Sequence, residues 1–113
     1  MTASLRMQQS KFAKLLGQLL VWIYDHQGWE VTLADGYRPD QMGHKKGSLH
    51  YIRLAQDLNL FVDGIWQKED CLEWRIVGRY WKDLDPDCRW GGDFHGDIPN
   101  DPNHISLTFG GAA

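Results

Sequence analysis

The amino-acid sequence predicts an α+β fold in which helices pack on one side of a small antiparallel sheet. Two segments repeat apolar residues at helical spacing, and three shorter segments alternate apolar and polar residues, as half-buried strands do. An Asp-Gly pair, a strong signal for a two-residue β-hairpin turn, follows one of the predicted strands. With 42% hydrophobic residues the chain can form its own core, so these patterns predict one domain over residues 1–113.

The first predicted helix runs from residue 5 to about residue 23. Thr2 or Ser4 can cap its start, and Gly28 is placed to end it. The face opposite its apolar side is rich in glutamine, so we expect the helix to pack in the core rather than bind a membrane. Its apolar side consists of Leu5, Phe12, Leu15, Leu16, Leu19, Leu20 and Ile23.

Four strands are predicted, at 29–33, 57–62, 65–67 and 104–109. The Asp-Gly turn at 63–64 would return the chain antiparallel along the second of these strands. Alternation in the last strand places its apolar side chains toward the core and its polar side chains on the opposite face. The core side would hold Ile105, Leu107 and Phe109, and the other face His104, Ser106 and Thr108.

A second helix is predicted from residue 69 to residue 84, ending before Pro86. Residues 40–50 are polar and contain glycine, and residues 85–103 are rich in Asp, Gly, Pro and Asn, so both segments are predicted to be loops. Long loops in a compact domain often carry function. The apolar residues of the second helix are Leu72, Ile76, Val77, Tyr80 and Leu84.

The charge and composition of the chain argue against two classes of partner. The formal net charge is −3 and no basic block is present, so we expect no nucleic-acid partner. No stretch approaches the ~20 apolar residues of a membrane helix, so we expect no stable membrane insertion. We also expect the protein to be a monomer. Residues 1–6 lack the pattern of a signal peptide, which favours synthesis in the cytoplasm. Cys71 and Cys88 are expected to be free thiols.

Two pairs of histidine and aspartate are candidates for a metal site. His50 lies seven residues before Asp57, and Asp101 lies three residues before His104. Each pair adjoins a predicted strand, which would hold its side chains rigidly. Zinc binds imidazole and carboxylate ligands, and in catalytic sites it keeps a fourth position open. Spacing alone leaves two interpretations open: His50, Asp57 and His104 bind Zn²⁺, or they are ordinary polar residues.

The order of these motifs resembles the signature of peptidase family M15. Its members are zinc D,D-carboxypeptidases, D,D-dipeptidases and phage L-alanyl-D-glutamate endopeptidases that cut peptidoglycan stem peptides. Ser48-x-His50-x6-Asp57 followed by Asp101-x-x-His104 is similar to the metal-binding part of that signature. Further segments that resemble the family are Asp-Gly-Tyr-Arg-Pro at 35–39, Ala-Gln-Asp-Leu at 55–58 and Trp-Gly-Gly-Asp-Phe at 90–94, so the resemblance spans residues 29–109.

The resemblance implies a hedgehog/D,D-peptidase-like fold and a role for five residues in particular. Zn²⁺ would be bound by His50, Asp57 and His104. Asp101 would act as the general base that takes a proton from the attacking water and returns it to the leaving amine. Arg38 would bind and polarise the scissile carbonyl, a task suited to a guanidinium that stays charged at any working pH.

Two positions depart from the family pattern. Asp35 stands where the family usually has serine, and Arg53 stands in place of a common glycine, which could reshape the substrate groove. Gly91 and Gly92 are expected to permit a tight loop beside the metal. We also expect Ser48, Tyr37 and Trp90 near the substrate and Asp93 in a position to orient a ligand histidine.

The function expected from the sequence is a phage-type L-alanyl-D-glutamate endopeptidase, an endolysin whose partner is the peptidoglycan stem peptide. It would reach the cell wall after another protein opens the membrane, by a holin-type route. Two alternatives are a D-alanyl-D-alanine carboxypeptidase or dipeptidase and a non-catalytic, zinc-stabilised cell-wall-binding or virion module. The presence of Asp101 and Arg38 argues against the second, because a structural metal site needs neither residue.

Overall fold

Two α-helices and an antiparallel sheet form the structure, a computed structural model that describes residues 4–37, 48–96 and 99–110. The α+β class predicted from the sequence is confirmed. The helices are α1 (Leu5–Trp22) and α2 (Leu72–Leu84). Within the described residues the strands are β1 (Glu30–Leu33), β2 (Ala55–Val62), β3 (Ile65–Trp66), β4 (Cys88–Trp90) and β5 (His104–Leu107).

Helix α1 begins after the predicted cap residue Ser4, and its π-helical extension ends at the predicted Gly28. The Ser4 hydroxyl accepts a hydrogen bond from the Met7 backbone N–H at 3.1 Å, which caps the first turn. A π-helical turn at Ile23–Gln27 continues the helix, and Gly28 ends it with a φ of +69° that suits glycine. In the part of the chain that the structure describes, neither α1 nor another helix is long and apolar enough to cross a membrane.

The sheet has the strand order β1-β2-β5-β4, and all neighbouring strands are antiparallel. Strand β3 also pairs with β2, through the hairpin predicted at 63–64. Asp63 and Gly64 have φ values of +50° and +76°, and a type I′ hairpin turn requires positive φ at both central residues. The predicted hairpin is therefore confirmed.

Strand β4 corrects the prediction that residues 85–103 are entirely loop. It pairs with β5, so that Trp90 lies opposite Ile105, and a 3-10 turn follows at Gly91–Asp93. Three residues are too few to show an alternating pattern, and this strand exists because β5 supplies its hydrogen-bonding partner.

Both helices pack on one face of the sheet, as predicted. A Cβ atom added at Gly78 of α2 would lie 2.2 Å from the Trp90 ring, so this helix packs directly against β4. Phe12 of α1 meets Trp81 of α2 edge-on, with ring centroids 5.7 Å apart. The same core contains the fully buried sheet residues Leu58, Leu60, Ile105 and Leu107.

The buried side of α2 differs from the predicted one at Leu72. This side chain is 66% exposed, whereas Trp74 and Trp81 are fully buried. The two indole rings lie seven residues apart, about two helical turns, and so share one face. Because they bury more apolar area than a leucine does, they determine which face of the helix meets the core.

The sheet face turned away from the helices carries the candidate site. In the register of β2 and β5, Asp57 lies opposite His104, and Ala55 lies opposite Ser106. Ser106 and His104 alternate with the core residues of β5 as predicted, and both are buried. Burying polar side chains is costly unless they have partners, so this face indicates a specific interaction.

Cys71 and Cys88 are free thiols, as expected. Cys88 lies opposite Leu107 in the register of β4 and β5, inside the core. Burial raises the pKa of the Cys88 thiol to about 12, so it stays protonated and packs as a small apolar group.

Candidate metal centre

The three predicted ligands, His50, Asp57 and His104, lie together on the sheet face away from the helices. One ligand atom from each residue lies within 4.8 Å of the other two. Asp57 Oδ1 is 3.3 Å from His50 Nε2 and 3.3 Å from His104 Nδ1. Both separations exceed the roughly 2.7–2.9 Å of a short charge-assisted hydrogen bond, so the carboxylate is not drawn tightly onto either ring. The group could therefore hold a metal ion between its three ligand atoms.

His50 is placed by a short 3-10 helix, Leu49–Ile52, that precedes β2. The Ser48 hydroxyl accepts a hydrogen bond from the His50 backbone N–H at 3.2 Å and caps this turn. Arg53 ends the turn in the left-handed region, with a φ of +60°, and donates its backbone N–H to Leu49 O. Within this turn the His50 side chain is only 2% exposed.

Asp57 and His104 are placed by strand pairing, because they are directly opposite residues of β2 and β5. Opposite side chains on adjacent antiparallel strands point to the same face with Cβ atoms about 4.5–5.5 Å apart. On the other side of β2, the Asp57 N–H donates to Asp35 O at 2.7 Å, and the Ala34 N–H donates to Asp57 O at 2.9 Å. The carboxylate is thus fixed by backbone pairing on both sides of its strand.

The second ring nitrogens of the two histidines have different surroundings. His50 Nδ1 lies 2.9 Å from Gly36 O, and a carbonyl only accepts, so Nδ1 carries a proton and Nε2, which faces Asp57, is the nitrogen that could bind a metal. His104 Nε2 is buried and has no hydrogen-bond partner among the described residues. The role of Gly36 O was not predicted, because side-chain motifs contain no information on which carbonyl will face a ring.

The charges at the centre favour a bound cation. Burial raises the pKa of the Asp57 carboxyl, but hydrogen bonds with His104 and His50 outweigh it and lower the pKa to about 2. Burial likewise lowers the pKa of His50, and the hydrogen bond and charge of Asp57 outweigh it, leaving this pKa above its ordinary value. A carboxylate that is ionised at neutral pH therefore lies between two imidazoles and attracts positive charge.

A close approach between two turns fixes the backbone before His104. Asp101 donates its backbone N–H to Gly91 O and accepts the His104 N–H, both at 3.0 Å. A Cβ atom added at Gly91 would lie 2.0 Å from Asp101 O and 2.8 Å from His104 Cβ, so glycine is required there. The predicted tight loop at Gly91 is confirmed, and the half-buried Asp101 lies on the segment that leads into the third ligand.

Trp90 supports this segment from the core side. Its indole N–H donates to Pro102 O at 2.7 Å, and its ring is so close to Gly92 that an added Cβ would lie 2.2 Å away. Only 6% of the residue is exposed. The Trp90 ring is part of the hydrophobic core and its polar atom is already bonded, so these contacts support the loop before His104, and contact of Trp90 with substrate stays a prediction.

Asp93 also differs from its expected role. Its carboxylate is half exposed and forms an ion pair with Lys82 of α2 at 2.8 Å. His50, the ligand histidine whose outer nitrogen is bonded, uses Gly36 O instead. The expectation that Asp93 orients a ligand histidine is therefore corrected, since the pair with Lys82 holds this carboxylate at the surface.

The remaining predicted residues are distributed as follows. Ser48 bonds locally to the His50 backbone, where it positions the ligand. Tyr37 follows Gly36 directly in the chain, is 42% exposed, and lies against the Arg53 guanidinium. Arg38, the predicted cation for the scissile carbonyl, lies outside the described residues.

Comparison with protein-family models and with curated proteins finds no match to this chain. The arrangement of His50, Asp57 and His104 is therefore the main structural observation that bears on function.

Proposed function

We propose that this protein is a zinc-dependent peptidase that cleaves peptidoglycan stem peptides, as an L-alanyl-D-glutamate endopeptidase of the endolysin type. His50, Asp57 and His104 would hold the zinc ion. The observation that carries the proposal is the convergence of two imidazole nitrogens and one carboxylate oxygen, all within 4.8 Å, from three separate parts of the chain. Two histidines and one carboxylate are a ligand set that zinc uses in catalytic sites.

Two of the three separations between ligand atoms are compatible with a tetrahedral zinc site. In a tetrahedron with metal–ligand bonds of about 2.0–2.1 Å, two ligand atoms are about 3.3–3.4 Å apart. Asp57 Oδ1 lies 3.3 Å from a nitrogen of each histidine. Three protein ligands leave the fourth tetrahedral position for water or substrate, which is typical of catalytic rather than structural zinc sites.

Zinc and the two predicted catalytic residues would divide the chemistry of peptide hydrolysis. Zinc, when bound, supplies the Lewis acidity that lowers the pKa of a water molecule toward about 7. The Asp101 carboxylate would accept a proton from the attacking water and deliver it to the amine that leaves. The Arg38 guanidinium would donate hydrogen bonds to the scissile carbonyl oxygen as negative charge develops there. The choice of peptidoglycan as substrate comes from the resemblance of the motifs.

The first test separates zinc binding from catalysis by replacing Asp101 with asparagine. Asp101→Asn keeps the size of the side chain but removes the base, so activity should fall by about 10²–10⁴-fold while one zinc per chain is retained. Metal content by atomic absorption and release of fragments from purified peptidoglycan measure the two properties. His104→Ala should lose tight zinc binding, because two remaining ligands hold the ion poorly.

Asp93→Asn is the matched control, since this carboxylate is half exposed and pairs with Lys82. It should change neither zinc content nor activity. Loss of zinc in Asp101→Asn would make Asp101 a ligand and contradict the division of roles. A zinc-bound wild type that leaves peptidoglycan uncut would favour a non-catalytic binding module.

The second test identifies the bond. Mass analysis of digested peptidoglycan should show new amino termini on D-glutamate and free carboxyl groups on L-alanine. Release of free D-alanine would instead identify a carboxypeptidase with the same metal centre.

A further inference from the structure

The guanidinium of an arginine that follows His50 in the chain lies over the ring of a tyrosine. The Arg53 guanidinium carbon is 3.8 Å from the centre of the Tyr37 ring, and both residues are exposed. This distance places the guanidinium in direct contact with the ring face, the arrangement of a cation–π pair. The aromatic ring limits the positions that an otherwise flexible side chain can take.

Both members of this pair are tied to His50. Arg53 ends the short turn that contains His50, three residues along the chain. Tyr37 follows Gly36, whose carbonyl oxygen accepts a hydrogen bond from His50 Nδ1 at 2.9 Å. Each member of the pair is therefore joined through the backbone to a group that positions the ligand His50.

The hydrogen-bonding groups of Arg53 remain available, in contrast to those of three other exposed arginines. Arg75 pairs with Asp70, Arg79 pairs with Asp83, and Arg89 donates to the carbonyl oxygens of Pro86 and Cys88. Within the described ranges Arg53 forms no ion pair or side-chain hydrogen bond. The five N–H donors of a guanidinium lie in the plane of the group, so contact of the guanidinium carbon with the Tyr37 ring leaves these donors available to a ligand.

The backbone at Arg53 adds a second sign of function. Its φ of +60° lies in the left-handed region, where glycine is accommodated without strain and a long side chain is not. Strained positions of this kind persist where the surrounding structure enforces them, and they are concentrated at ligand-binding sites. A guanidinium presented at the cost of local strain is consistent with selection for what the side chain binds.

We propose that Arg53, held on the Tyr37 ring, binds a free carboxylate of the substrate peptide next to the scissile bond. This inference rests on the proposed peptidase function and specifies its substrate class as an anionic stem peptide. Glutamate has two carboxyl groups and the continuing chain uses one, so an L-alanyl-D-glutamate bond has a free carboxylate beside it. A planar guanidinium binds a carboxylate through two parallel hydrogen bonds, which a carboxamide cannot reproduce.

The test compares two peptides that differ only in this group, a free carboxylate or a carboxamide on the glutamate residue. Wild type should cleave the carboxylate peptide with a kcat/KM about tenfold higher, mainly through a lower KM. Arg53→Gln should bring the ratio of the two kcat/KM values close to one. Arg53→Gly provides a second variant that suits the left-handed backbone, so it removes the guanidinium without risk to the fold.

The matched control is Arg79→Gln, which removes an exposed arginine that pairs with Asp83 on α2. It should keep the wild-type preference for the carboxylate peptide. A wild type that cleaves both peptides equally, or an Arg53→Gln variant that keeps the preference, would overturn the proposal while the peptidase function stands.

A binding experiment separates this proposal from the proposed function if neither peptide is cleaved. Each peptide is titrated into wild type and Arg53→Gln, and the Tyr37 ring signals are followed by NMR. Tighter binding of the carboxylate peptide that requires Arg53 would support the carboxylate site. Equal affinity for both peptides, or equal affinity of both proteins, would overturn it.

Discussion

His50 and His104 contribute the same chemical group to the candidate metal centre, but different kinds of interaction hold them. Besides its contact with Asp57, His50 is held in one short turn, capped by Ser48, and by the carbonyl of Gly36 in the segment that follows β1. His104 depends on pairing with Asp57 and on the close approach of Gly91. His50 is therefore positioned mainly by individual hydrogen bonds, and His104 mainly by strand pairing and close backbone packing.

This difference has consequences for what each side tolerates. A turn held by individual hydrogen bonds loses one bond at a time, at roughly 0.5–1.5 kcal/mol each. The cost of disturbing a close approach between backbones does not come in such small steps, because a single added atom has to displace the main chain. Perturbations on the His104 side should therefore have the larger effects on folding and on metal affinity.

Gly91→Ala should produce the largest effect. The new methyl group would meet Asp101 O at 2.0 Å and His104 Cβ at 2.8 Å, and neither is the movable end of a long side chain. We expect a loss of about 3 kcal/mol in the free energy of unfolding and weak metal binding, since the third ligand moves. Urea denaturation and a zinc competition titration measure the two effects.

Gly17→Ala is the control for Gly91→Ala. Nothing lies within 4 Å of a Cβ at Gly17, which is inside α1. Alanine is the better helix former, so this variant should gain about 0.5–1 kcal/mol and keep the metal affinity. If Gly91→Ala were as stable as Gly17→Ala and bound zinc equally well, the His104 side would not depend on close packing.

The elements with local signals were predictable from the sequence. Ser4 and Gly28 mark the ends of α1 and its π-helical extension through capping chemistry, and the Asp-Gly pair at 63–64 forces its own turn type. Two of the metal ligands, His50 and Asp57, are close in the chain and adjoin a regular strand. In each case the residues that determine the structure lie within a few positions of one another.

The parts that depend on distant partners were not predictable. Strand β4 has no pattern of its own and is defined by β5. The role of Trp90 follows from contacts with Gly78 and with Pro102 O, which no spacing along the chain indicates. The burial of Ser106 similarly results from the packing of a whole sheet face rather than from its neighbours in sequence.

Trp90→Phe should be the next largest perturbation. It keeps an aromatic ring in the core but removes the N–H that donates to Pro102 O at 2.7 Å, at a cost of about 1–2 kcal/mol. Amide hydrogen exchange should become faster at Asp101 and His104, whose N–H groups are bonded beside this loop, and stay unchanged at Leu54 on the His50 side.

The matched substitution is Trp74→Phe, since this indole N–H donates to Gln67 O at 2.8 Å elsewhere in the core. It should lower the free energy of unfolding by a similar amount without selectively speeding amide hydrogen exchange at His104. Equal acceleration of exchange at His104 in the two variants would mean that Trp90 has no special connection to the metal centre.

Ser48→Ala tests the local side of the comparison and should have a smaller effect. It removes the acceptor for the His50 N–H at 3.2 Å and should lower stability by about 0.5–1 kcal/mol. Ser4→Ala removes a similar cap from α1, where the acceptor lies 3.1 Å from the Met7 N–H. Of these two variants, only Ser48→Ala should weaken zinc binding, and only slightly. A tenfold or larger loss of zinc affinity would instead mean that the His50 turn matters as much as the close packing at Gly91.

Asp85→Asn should have the smallest effect, because it acts at the far end of the segment that supports His104. Lys11 Nζ of α1 lies 2.9 Å from Asp85 Oδ1, near the start of β4. Burial raises the pKa of Asp85, but the hydrogen bond from Lys11 outweighs it and holds this pKa below its ordinary value. In the structure Asp85 Oδ1 also accepts a hydrogen bond from the Asp87 N–H at 2.9 Å. The side-chain oxygen of asparagine can still accept this bond, so the substitution removes only the charge.

The pH dependence of the Asp85→Asn effect follows from the direction of that pKa shift. The pKa of Asp85 is lower in the folded protein than in the unfolded chain, where it is about 3.9. The ion pair with Lys11 therefore contributes its full stabilisation above about pH 3.9. This stabilisation is lost as the pH falls through the folded-state pKa of Asp85. The ion pair is partly exposed and screened by salt, so the cost at pH 7 should be less than about 1 kcal/mol. Urea denaturation should show wild type and variant converging as the pH drops below about 4, with equal zinc affinity at pH 7. Weaker zinc binding in the variant would mean that the ion pair with Lys11 of α1 also helps to position His104.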